Sequence, residues 1–545
     1  MTTITVSFAD LQKLIRRKLP ADIEKIDEAL QYGKSQVDAL EKDELTIEIE
    51  DSNRPDLWSV EGLAREIRGG FGTEKGLAVY EVKKSNLKIE VDSKLKTIRP
   101  FIACAIVKNV KLDDYIIKQL MQQQDKIDTS YGRKRARTSI GLYDFDLLKF
   151  PLYYGTTNPN ENAFVPLTFA NKLNPAQILE QHPKGKEYGH LINKNKVYPI
   201  FMDADGKVLS MPPVINSDDL GHVNENTKNL MIEVTGTNYE AVQNVLRIMA
   251  ISLAERGGEL YEVKIDYTYR EKDITPNFTP KPFKLSIDFI NQRLGTKFRS
   301  DEIAKILEKA RYGIKKISRE SVEIDIPSYR TDIMHAADIA EDVAIFYGYS
   351  NIESLPLEVH TIGGLSQINQ ITNKFRNLCV GLGAQEIYSF TLTNKENSFK
   401  KMNLPDGKII ELENPVNLNF TCVRNWIIPS LMDFLSVNTK KEYPQIIFEA
   451  GDVSEGLETK RKLAFAIAKS DTNFTEAKQA LEFIYKSLDK KLEFKAVEHA
   501  SFIPGRAANV LLDGKVIGVV GELHPQVLIN WGLDTPVSAF EIQLS

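Results

Sequence analysis

The stretch IPSYRTDIMHAADIAEDVAIFYGY, from Ile326 to Tyr349, is the part of the sequence that says most about the fold. Its second half has the apolar spacing of a helix, and three carboxylates stand at positions i, i+3 and i+4, which share one helix face. A fourth carboxylate precedes the helix and is expected to cap it. Carboxylate oxygens suit a hard cation such as Mg²⁺, which keeps several of its waters. The four residues are Asp332, Asp338, Glu341 and Asp342.

The same carboxylates have a second interpretation. Acidic residues at neighbouring helical positions are common on solvated surfaces. Asp332 can cap the helix while the acids pair with Arg330. Spacing alone therefore leaves both a magnesium site and an acidic surface open.

Short helical and strand patterns surround this stretch from roughly residue 284 onward. They predict a small fold of short helices with a two-stranded element, similar to a winged helix. We assign it to a domain at 269–350, which includes the proline-rich linker ITPNFTPKPF at 274–283.

Patterns on either side predict three more domains, so the fold class is multidomain α+β. Residues 1–86 form a small α/β domain, in which Asp22 caps a helix and Gly33 ends it in a left-handed conformation. Residues 87–268 combine short β-rich runs with two helical patterns, which predicts an α+β domain with a largely antiparallel sheet. Residues 358–545 predict an antiparallel sheet with flanking helices.

The composition is typical of a folded protein outside the membrane. The chain has 545 residues, 42% hydrophobic and 27% charged, which exceeds the ~250–300 residues of one core. It has neither a run of ~18 apolar residues nor an apolar signal core, so we expect no membrane span and a cytoplasmic location. Its net charge of -5 means that RNA would have to meet local basic patches. Cys104, Cys379 and Cys422 are too few and too scattered for a disulfide framework.

One basic patch lies in the sequence GRKRARTSIGLYDFD, which begins at Gly132. Four cationic side chains in so short an interval could grip phosphates, although an exposed loop without a ligand fits equally well. The candidates for RNA binding are Arg133, Lys134, Arg135 and Arg137.

A candidate pocket lies in KVLSMPPVINS and the later NLMIEVTGTN. A strand projects residues two apart to the same face, so Glu233 and Thr235 point the same way. Ser210 and Asn216 flank a rigid Pro-Pro step and add polar groups beside apolar ones. These residues predict either a pocket for a small amphipathic ligand or ordinary hydrogen bonding at strand ends. Known nucleophile, P-loop, dinucleotide and zinc-protease motifs are absent from the sequence.

Several long motifs resemble the β subunit of phenylalanyl-tRNA synthetase, in its shorter archaeal and eukaryotic-cytosolic type. The resemblance runs in the right order over nearly the whole chain. Its motifs are NRPDLWSVEGLAREI, LSMPPVINS, IPSYRTDIMHAADIAEDVAIFYGY, RNWIIPSLMDFLSVN, IIFEAGDV, PGRAANV and GVVGELHPQV.

The resemblance implies an α2β2 heterotetramer that joins phenylalanine to tRNA(Phe) with ATP, and it implies Mg²⁺ on Asp332, Asp338, Glu341 and Asp342. The last domain is similar to the class II catalytic fold but lacks the two arginines that its second and third motifs need. Without positioned cations a phosphoryl transition state loses its main stabilisation. We therefore expect no catalytic residue for activation on this chain, and structural or interface roles for Arg424, Glu449 and Arg506.

The second domain resembles an editing domain that hydrolyses tyrosine wrongly attached to the tRNA. An apolar pocket rejects an added hydroxyl poorly, so a second site has to check the product. The resemblance assigns this pocket to Ser210, Asn216, Glu233 and Thr235. Two other functions stay open: a free-standing RNA-binding scaffold, and a metal hydrolase centred on the four acids.

Overall fold

The computed structural model describes residues 2–356 and 361–544 of a chain that forms two compact units, Met1–Pro356 and Leu357–Ser545. The predicted start of the last domain, at residue 358, lies outside the described residues. Within those two ranges no helix is both long enough and apolar enough to cross a membrane.

The N-terminal part of the first unit is a three-stranded antiparallel sheet with three helices, and its third strand is central. Its elements are β1 (Thr2–Ser7), α1 (Phe8–Ile15), α2 (Ile23–Leu30), β2 (Ser35–Glu41), β3 (Glu44–Ile49) and α3 (Val60–Gly70). Asp22 caps α2 as predicted, because its side chain accepts a hydrogen bond from the Lys25 amide. The predicted left-handed Gly33 is wrong, since Lys34 holds that conformation with φ 51°. Gly33 instead allows close packing, as a Cβ there would lie 2.7 Å from Leu63 Cδ2.

Two sheets form the middle of the first unit. Its elements are β4 (Val82–Lys83), β5 (Lys88–Val91), β6 (Phe101–Lys108), α4 (Asp114–Thr129), β7 (Thr138–Asp144), β8 (Leu152–Thr157), α5 (Pro175–Gln181), α6 (Pro183–Tyr188), β9 (Tyr198–Met202), β10 (Val208–Met211), β11 (Ile215–Asn216), α7 (Asp218–Gly221), β12 (Leu230–Gly236), α8 (Tyr239–Glu255), β13 (Glu259–Tyr261), β14 (Val263–Tyr267) and β15 (Asp273–Thr275). The sheet orders are β11-β10-β9-β8-β5-β14-β15 and β4-β13-β6-β12-β7.

Most neighbouring strands in these sheets are antiparallel, as predicted, but β5 is parallel to β8 and β14, and β4 is parallel to β13. Two differences from the predicted boundaries follow from the pairing. Strand β15 pairs with β14 beyond residue 268, and β4 joins β13 from before residue 87. Short edge strands carry too few residues for a pattern to reveal them.

Strand β12 is buried on both faces. Ile232 and Val234 pack into the core beneath α8, whereas Met231 packs into the core shared with the seven-stranded sheet. Because side chains alternate along a strand, Glu233 and Thr235 also face that second sheet. This placement brings polar groups into the interior of the domain.

The third part of the first unit combines a small sheet with three helices. Its elements are β16 (Lys281–Ser286), α9 (Ile287–Leu294), α10 (Ser300–Lys309), β17 (Gly313–Ile317), β18 (Ser321–Ile326) and α11 (Ala336–Tyr347). The sheet has the order β16-β18-β17, so it has three strands where the sequence predicts two. The missed strand, β16, contains Pro282 and lies at the edge, where a residue without an N–H is tolerated.

The second unit is built around a seven-stranded sheet, of order β19-β23-β24-β28-β27-β26-β25, and a small one, β20-β22-β21. Its elements are α12 (Gln367–Gly381), β19 (Gln385–Glu386), β20 (Leu392–Thr393), α13 (Lys395–Ser398), β21 (Ile410–Glu411), β22 (Cys422–Val423), α14 (Ile428–Val437), β23 (Gln445–Glu455), β24 (Glu458–Ala468), α15 (Phe474–Lys486), β25 (Glu493–Ala496), β26 (Phe502–Leu512), β27 (Lys515–Leu523), α16 (Pro525–Trp531) and β28 (Val537–Gln543).

Strand β24 shows how this sheet separates two cores. Ala464 and Ala466 pack on one face with residues of α14 and α16, and Leu463 and Phe465 pack on the other with residues of α12 and α15. The period of two along β24 thus places helices on both faces. All three cysteines are buried thiols, and the multidomain α+β class is as predicted.

Candidate functional site

Three of the four predicted pocket residues converge on one cavity in the middle of the first unit. Strands β10 and β11 pair antiparallel with Ser210 opposite Asn216, and the turn between them contains the Pro212-Pro213 step. Glu233 comes from β12 and lines the same cavity, which has a volume of about 90 Å³. The other lining residues are Gln124, Arg135, Ser139, Ile140, Leu167, Pro212, Pro213 and Ile215.

Thr235, the fourth predicted residue, lies behind the cavity wall. Its Oγ1 atom accepts a hydrogen bond of 2.9 Å from Nε of the buried Arg99 and lies 3.1 Å from Oγ of Ser139. Arg99 also donates to the carbonyl of Arg135. Thr235 therefore supports the wall, and Arg99 is a residue that the sequence analysis missed.

Tyr143, also missed, connects the three residues that do converge. Its hydroxyl oxygen lies 2.8 Å from Oε2 of Glu233, 2.9 Å from Oγ of Ser210 and 3.4 Å from Oδ1 of Asn216. Tyr143 belongs to β7, which pairs with β12. An aromatic residue in a strand is so often part of a core that its type gives no signal of this role.

Glu233 is the titratable group of the cavity. Burial raises the pKa of Glu233 to about 7, and the Tyr143 hydroxyl, the charge of Arg99 and the nearby Thr235 hydroxyl oppose that rise. The Thr235 hydroxyl does not meet the geometry of a hydrogen bond to Glu233. The second oxygen of Glu233, Oε1, is buried and makes no hydrogen bond within the described part of the chain. An acceptor held in this way favours a ligand that brings a hydrogen-bond donor, because an unmade bond to a buried polar group is costly.

The basic patch borders the cavity, but its members differ. Arg133, Lys134 and Arg135 all have left-handed backbones, with φ of 52°, 51° and 64°. Arg133 and Lys134 are exposed. Arg137 has its guanidinium 4.7 Å from the centre of the Tyr131 ring.

The Arg135 side chain points into the protein and binds other groups of the chain. It pairs with the buried Asp128 at 3.1 Å and donates to the carbonyls of Pro213 and Val214. Burial raises the pKa of Asp128 to about 7, against the attraction of Arg135 and Arg99. Arg135 thus holds the turn between β10 and β11 in place, and Arg133 and Lys134 are the exposed members of the patch.

The four predicted magnesium ligands do not surround a common point. Arg330 contacts Asp332 at 2.6 Å and Asp342 at 2.8 Å, while Asp338 accepts hydrogen bonds from backbone amides at the start of α11. Glu341 is held by Lys34. Over residues 2–356 and 361–544 no group of three or more metal-binding side chains is arranged to hold an ion. As they stand, the four acids do not fit an octahedral cation, and the magnesium site stays a prediction.

The positive charge around these acids comes from the protein itself. Burial disfavours the ionised form of Asp332, but the guanidinium groups of Arg330 and Arg54 hold its pKa well below the usual range. Asp342 also accepts a hydrogen bond from Tyr312 at 2.6 Å, and its Oδ1 atom has no hydrogen-bond partner among the described residues. The predicted cap by Asp332 is wrong, because Asp332 is held by Arg330 and the start of α11 is capped by His335 and Asp338. The pairing of acids with Arg330 is as in the second interpretation of the sequence.

In the second unit, the arginines that the resemblance singled out are engaged in ion pairs. Arg424 donates to buried Glu449 at 2.8 Å and to Ser389 at 2.8 Å. Arg506 pairs with Glu522 across neighbouring strands. The Arg424 guanidinium is therefore buried and engaged, whereas that of Arg506 is more than half exposed.

Comparison with known proteins agrees with this organisation. The family profile "tRNA synthetase B5 domain" matches residues 283–349, and "Phenylalanyl tRNA synthetase beta chain CLM domain" matches 352–544. The class of protein is therefore that of the aminoacyl-tRNA synthetases. The phenylalanine–tRNA ligase β subunit of Pyrococcus horikoshii is 44% identical over 100% of this chain and 99% of its own. The chain belongs to the phenylalanine–tRNA ligase β-subunit family, which confirms the resemblance seen in the sequence.

Other relatives have the same extent. The β subunit of the ligase from Thermococcus sibiricus is 41% identical, over 100% of this chain and 98% of its own. That of Methanocaldococcus jannaschii is 38% identical over 100% of both chains. The crystal structure of an N-terminal fragment of the Pyrococcus horikoshii β subunit matches with a TM-score of 0.61 and 43% identity, covering 64% of this chain and 100% of the fragment.

Proposed function

We propose that this chain works in the cytoplasm as the β subunit of an α2β2 phenylalanine–tRNA ligase, in which an α-type partner activates phenylalanine with ATP and Mg²⁺. The buried ion pair of Arg424 with Glu449 supports this division of labour. Activation needs cations aimed at the developing phosphoryl charge. The contribution of this chain is to complete the assembly, to contact tRNA(Phe) and to proofread the product.

Co-expression with an α-type chain tests the assembly. We expect a complex of two copies of each chain by mass, with phenylalanine-dependent pyrophosphate exchange and aminoacylation of tRNA(Phe). The chain expressed alone should exchange no pyrophosphate. Exchange by the isolated chain would contradict the proposal.

The cavity beside Glu233 is the site that we propose for proofreading. The observation that carries this proposal is the buried Oε1 atom of the cavity-lining Glu233, which has no hydrogen-bond partner among the residues that the structure describes. A tyrosyl ester brings a phenolic O–H that can donate to this oxygen, whereas a phenylalanyl ester brings none. Phenylalanine would leave the carboxylate unpaired, so the site retains tyrosine and spares the correct product.

We expect hydrolysis in this site to use a water molecule that protein side chains hold beside the ester, so no side chain has to act as the nucleophile. Ser210 and Asn216 line the cavity and offer hydrogen bonds to the ester and to an attacking water. A hydroxyl of the terminal ribose of the tRNA can assist, since it is held next to the ester that it would help to cleave. Thr235 supports the cavity wall through its hydrogen bond with Arg99.

The test is the release of tyrosine from mischarged tRNA(Phe) by the whole complex. We expect the Glu233→Ala complex to lose most of this release while it still aminoacylates tRNA(Phe) with phenylalanine. Glu161→Ala is the matched control, because Glu161 is exposed in the same domain and is absent from the cavity lining. Undiminished release by Glu233→Ala would remove Glu233 from the proposal.

A further inference from the structure

We infer that Tyr143 is a positioning residue for tyrosine recognition, which holds the Glu233 carboxylate so that Oε1 faces the ligand. This inference rests on the proposed proofreading function. It is carried by the contact between the Tyr143 hydroxyl and Oε2 of Glu233, at 2.8 Å. The two side chains meet because their strands, β7 and β12, are neighbours in the five-stranded sheet.

The direction of the hydrogen bonds follows from their chemistry. The phenol has one proton, and a carboxylate is a stronger acceptor than a hydroxyl. Tyr143 therefore donates to Glu233 and accepts from Ser210, whose oxygen lies 2.9 Å away. With Oε2 engaged by this bond, Oε1 is the oxygen that has no hydrogen-bond partner within the described part of the chain.

A glycine makes room for this contact. Gly141 stands directly opposite Glu233 in the pairing of β7 with β12. A Cβ atom at Gly141 would lie 2.5 Å from Oε2 of Glu233 and 2.6 Å from the hydroxyl of Tyr143. Both distances are below van der Waals contact, so alanine at this position would force the two groups apart. Gly141 and Tyr143 lie two residues apart on one face of β7. The glycine leaves space for the Glu233 carboxylate, and the tyrosine hydroxyl binds it.

The experiment compares Tyr143→Phe with wild type in the assembled α-β complex. We expect the ratio of kcat/KM for tyrosyl and phenylalanyl esters of tRNA(Phe) to fall by about tenfold or more, because a hydrogen bond to a charged group is lost. The hydroxyl favours the ionised carboxylate, so its removal should also move the pH midpoint of tyrosine release upward. A loss of packing alone would not move that midpoint.

Two further variants make the test specific. Tyr153→Phe removes a hydroxyl that donates to Asp92 on the neighbouring sheet, outside the cavity, and should leave both readouts unchanged. Gly141→Ala keeps the Tyr143 hydroxyl but displaces it, and should reproduce the loss of discrimination even if Tyr143→Phe fails to fold. Unchanged discrimination and an unchanged midpoint in a folded Tyr143→Phe complex would overturn the inference. Failure of the proofreading proposal looks different, since wild type itself would then release no tyrosine, and the inference would fall with it.

Discussion

The ammonium group of Lys34 lies 2.7 Å from Oε2 of Glu341, although 307 positions separate the two residues in the sequence. The same ammonium contacts Asp51 at 2.8 Å and lies 3.8 Å from Asp342. Burial opposes the charge of Lys34, but the neighbouring carboxylates raise its pKa overall. A lysine thus supplies positive charge at the acidic face of α11, where the sequence predicts magnesium.

Lys34→Met should make the stability of the protein depend more strongly on Mg²⁺. The ammonium competes with any cation for Glu341 and Asp342, and its removal leaves like charges close together. We expect a lower melting temperature in EDTA and a larger rise with millimolar MgCl₂ than in wild type, at matched ionic strength. Lys25→Met, which breaks an exposed pair on α2, is the control. An equal magnesium response in wild type and Lys34→Met would contradict the competition.

Arg135→Met should lower the free energy of unfolding by about 2 kcal/mol, because the buried carbonyls of Pro213 and Val214 lose their charged donor. Asp128 adds little at neutral pH, because its pKa of about 7 lets it stay protonated once Arg135 is gone. Arg133 is an exposed residue of the basic patch, and Arg133→Met should change the free energy of unfolding by no more than about 0.5 kcal/mol. Chemical denaturation of both variants checks the difference. Equal losses would show that Arg135 has no special structural role.

The stability of the protein should fall as pH rises from about 4 to about 7 through the ionisation of Asp128. Its pKa is raised from 3.8 to about 7, so the folded state binds a proton that the unfolded state has released. Arg135 lowers the pKa of Asp128. Its removal should therefore raise this pKa further and extend the fall in stability above pH 7. The measurement is the unfolding free energy against pH for wild type and Asp128→Asn, and identical slopes would rule out this contribution.

Replacing both Arg133 and Lys134 with alanine should weaken binding of tRNA(Phe) and reduce its salt dependence. Two lost contacts to single-stranded phosphates should reduce the slope of log K against log salt by roughly 1.4. The double variant of Lys94 and Lys96, exposed in the same domain, carries the same change in charge and should keep the wild-type slope. An equal reduction of the slope in both double variants would show that the salt dependence follows net charge and not the position of Arg133 and Lys134.

Tyrosine release should rise with pH through a midpoint near 7. The pKa of Glu233 is about 7, and its ionised form is the stronger acceptor for a phenolic O–H. Uncatalysed ester hydrolysis also rises with pH, so it has to be subtracted at each point. Glu233→Gln should lack the step, and a step that survives in Glu233→Gln would belong to another group.

In the second unit, Arg424→Met should cost about 3–5 kcal/mol, because it leaves Glu449 buried and unpaired. Arg506→Met should cost less than about 1 kcal/mol, because Arg506 is more than half exposed. The melting of the two variants within the α-β complex compares these costs. A larger loss in Arg506→Met would indicate that Arg506 has a role at an interface.

Local spacing predicted much of the architecture and part of the site. The helix with acids at i, i+3 and i+4 is present, and Glu233 and Thr235 do share one face of β12. Spacing failed wherever a residue's role depends on another element. Thr235 is on the same strand face as Glu233, but it binds Arg99 and does not line the cavity. Arg135 belongs to a basic run in the sequence, but its side chain turns inward and pairs with Asp128.

The sequence by itself determined the class of fold, the family, and which residues of one helix or strand share a face. It could do so because helices and strands repeat at 3.6 and 2 residues, so spacing along the chain fixes which side chains share a face. Only the tertiary structure decided which groups meet across faces: Tyr143 with Glu233, and Lys34 with Glu341. Such contacts depend on packing between elements that are far apart in the chain, and short-range periodicity carries no information about that packing.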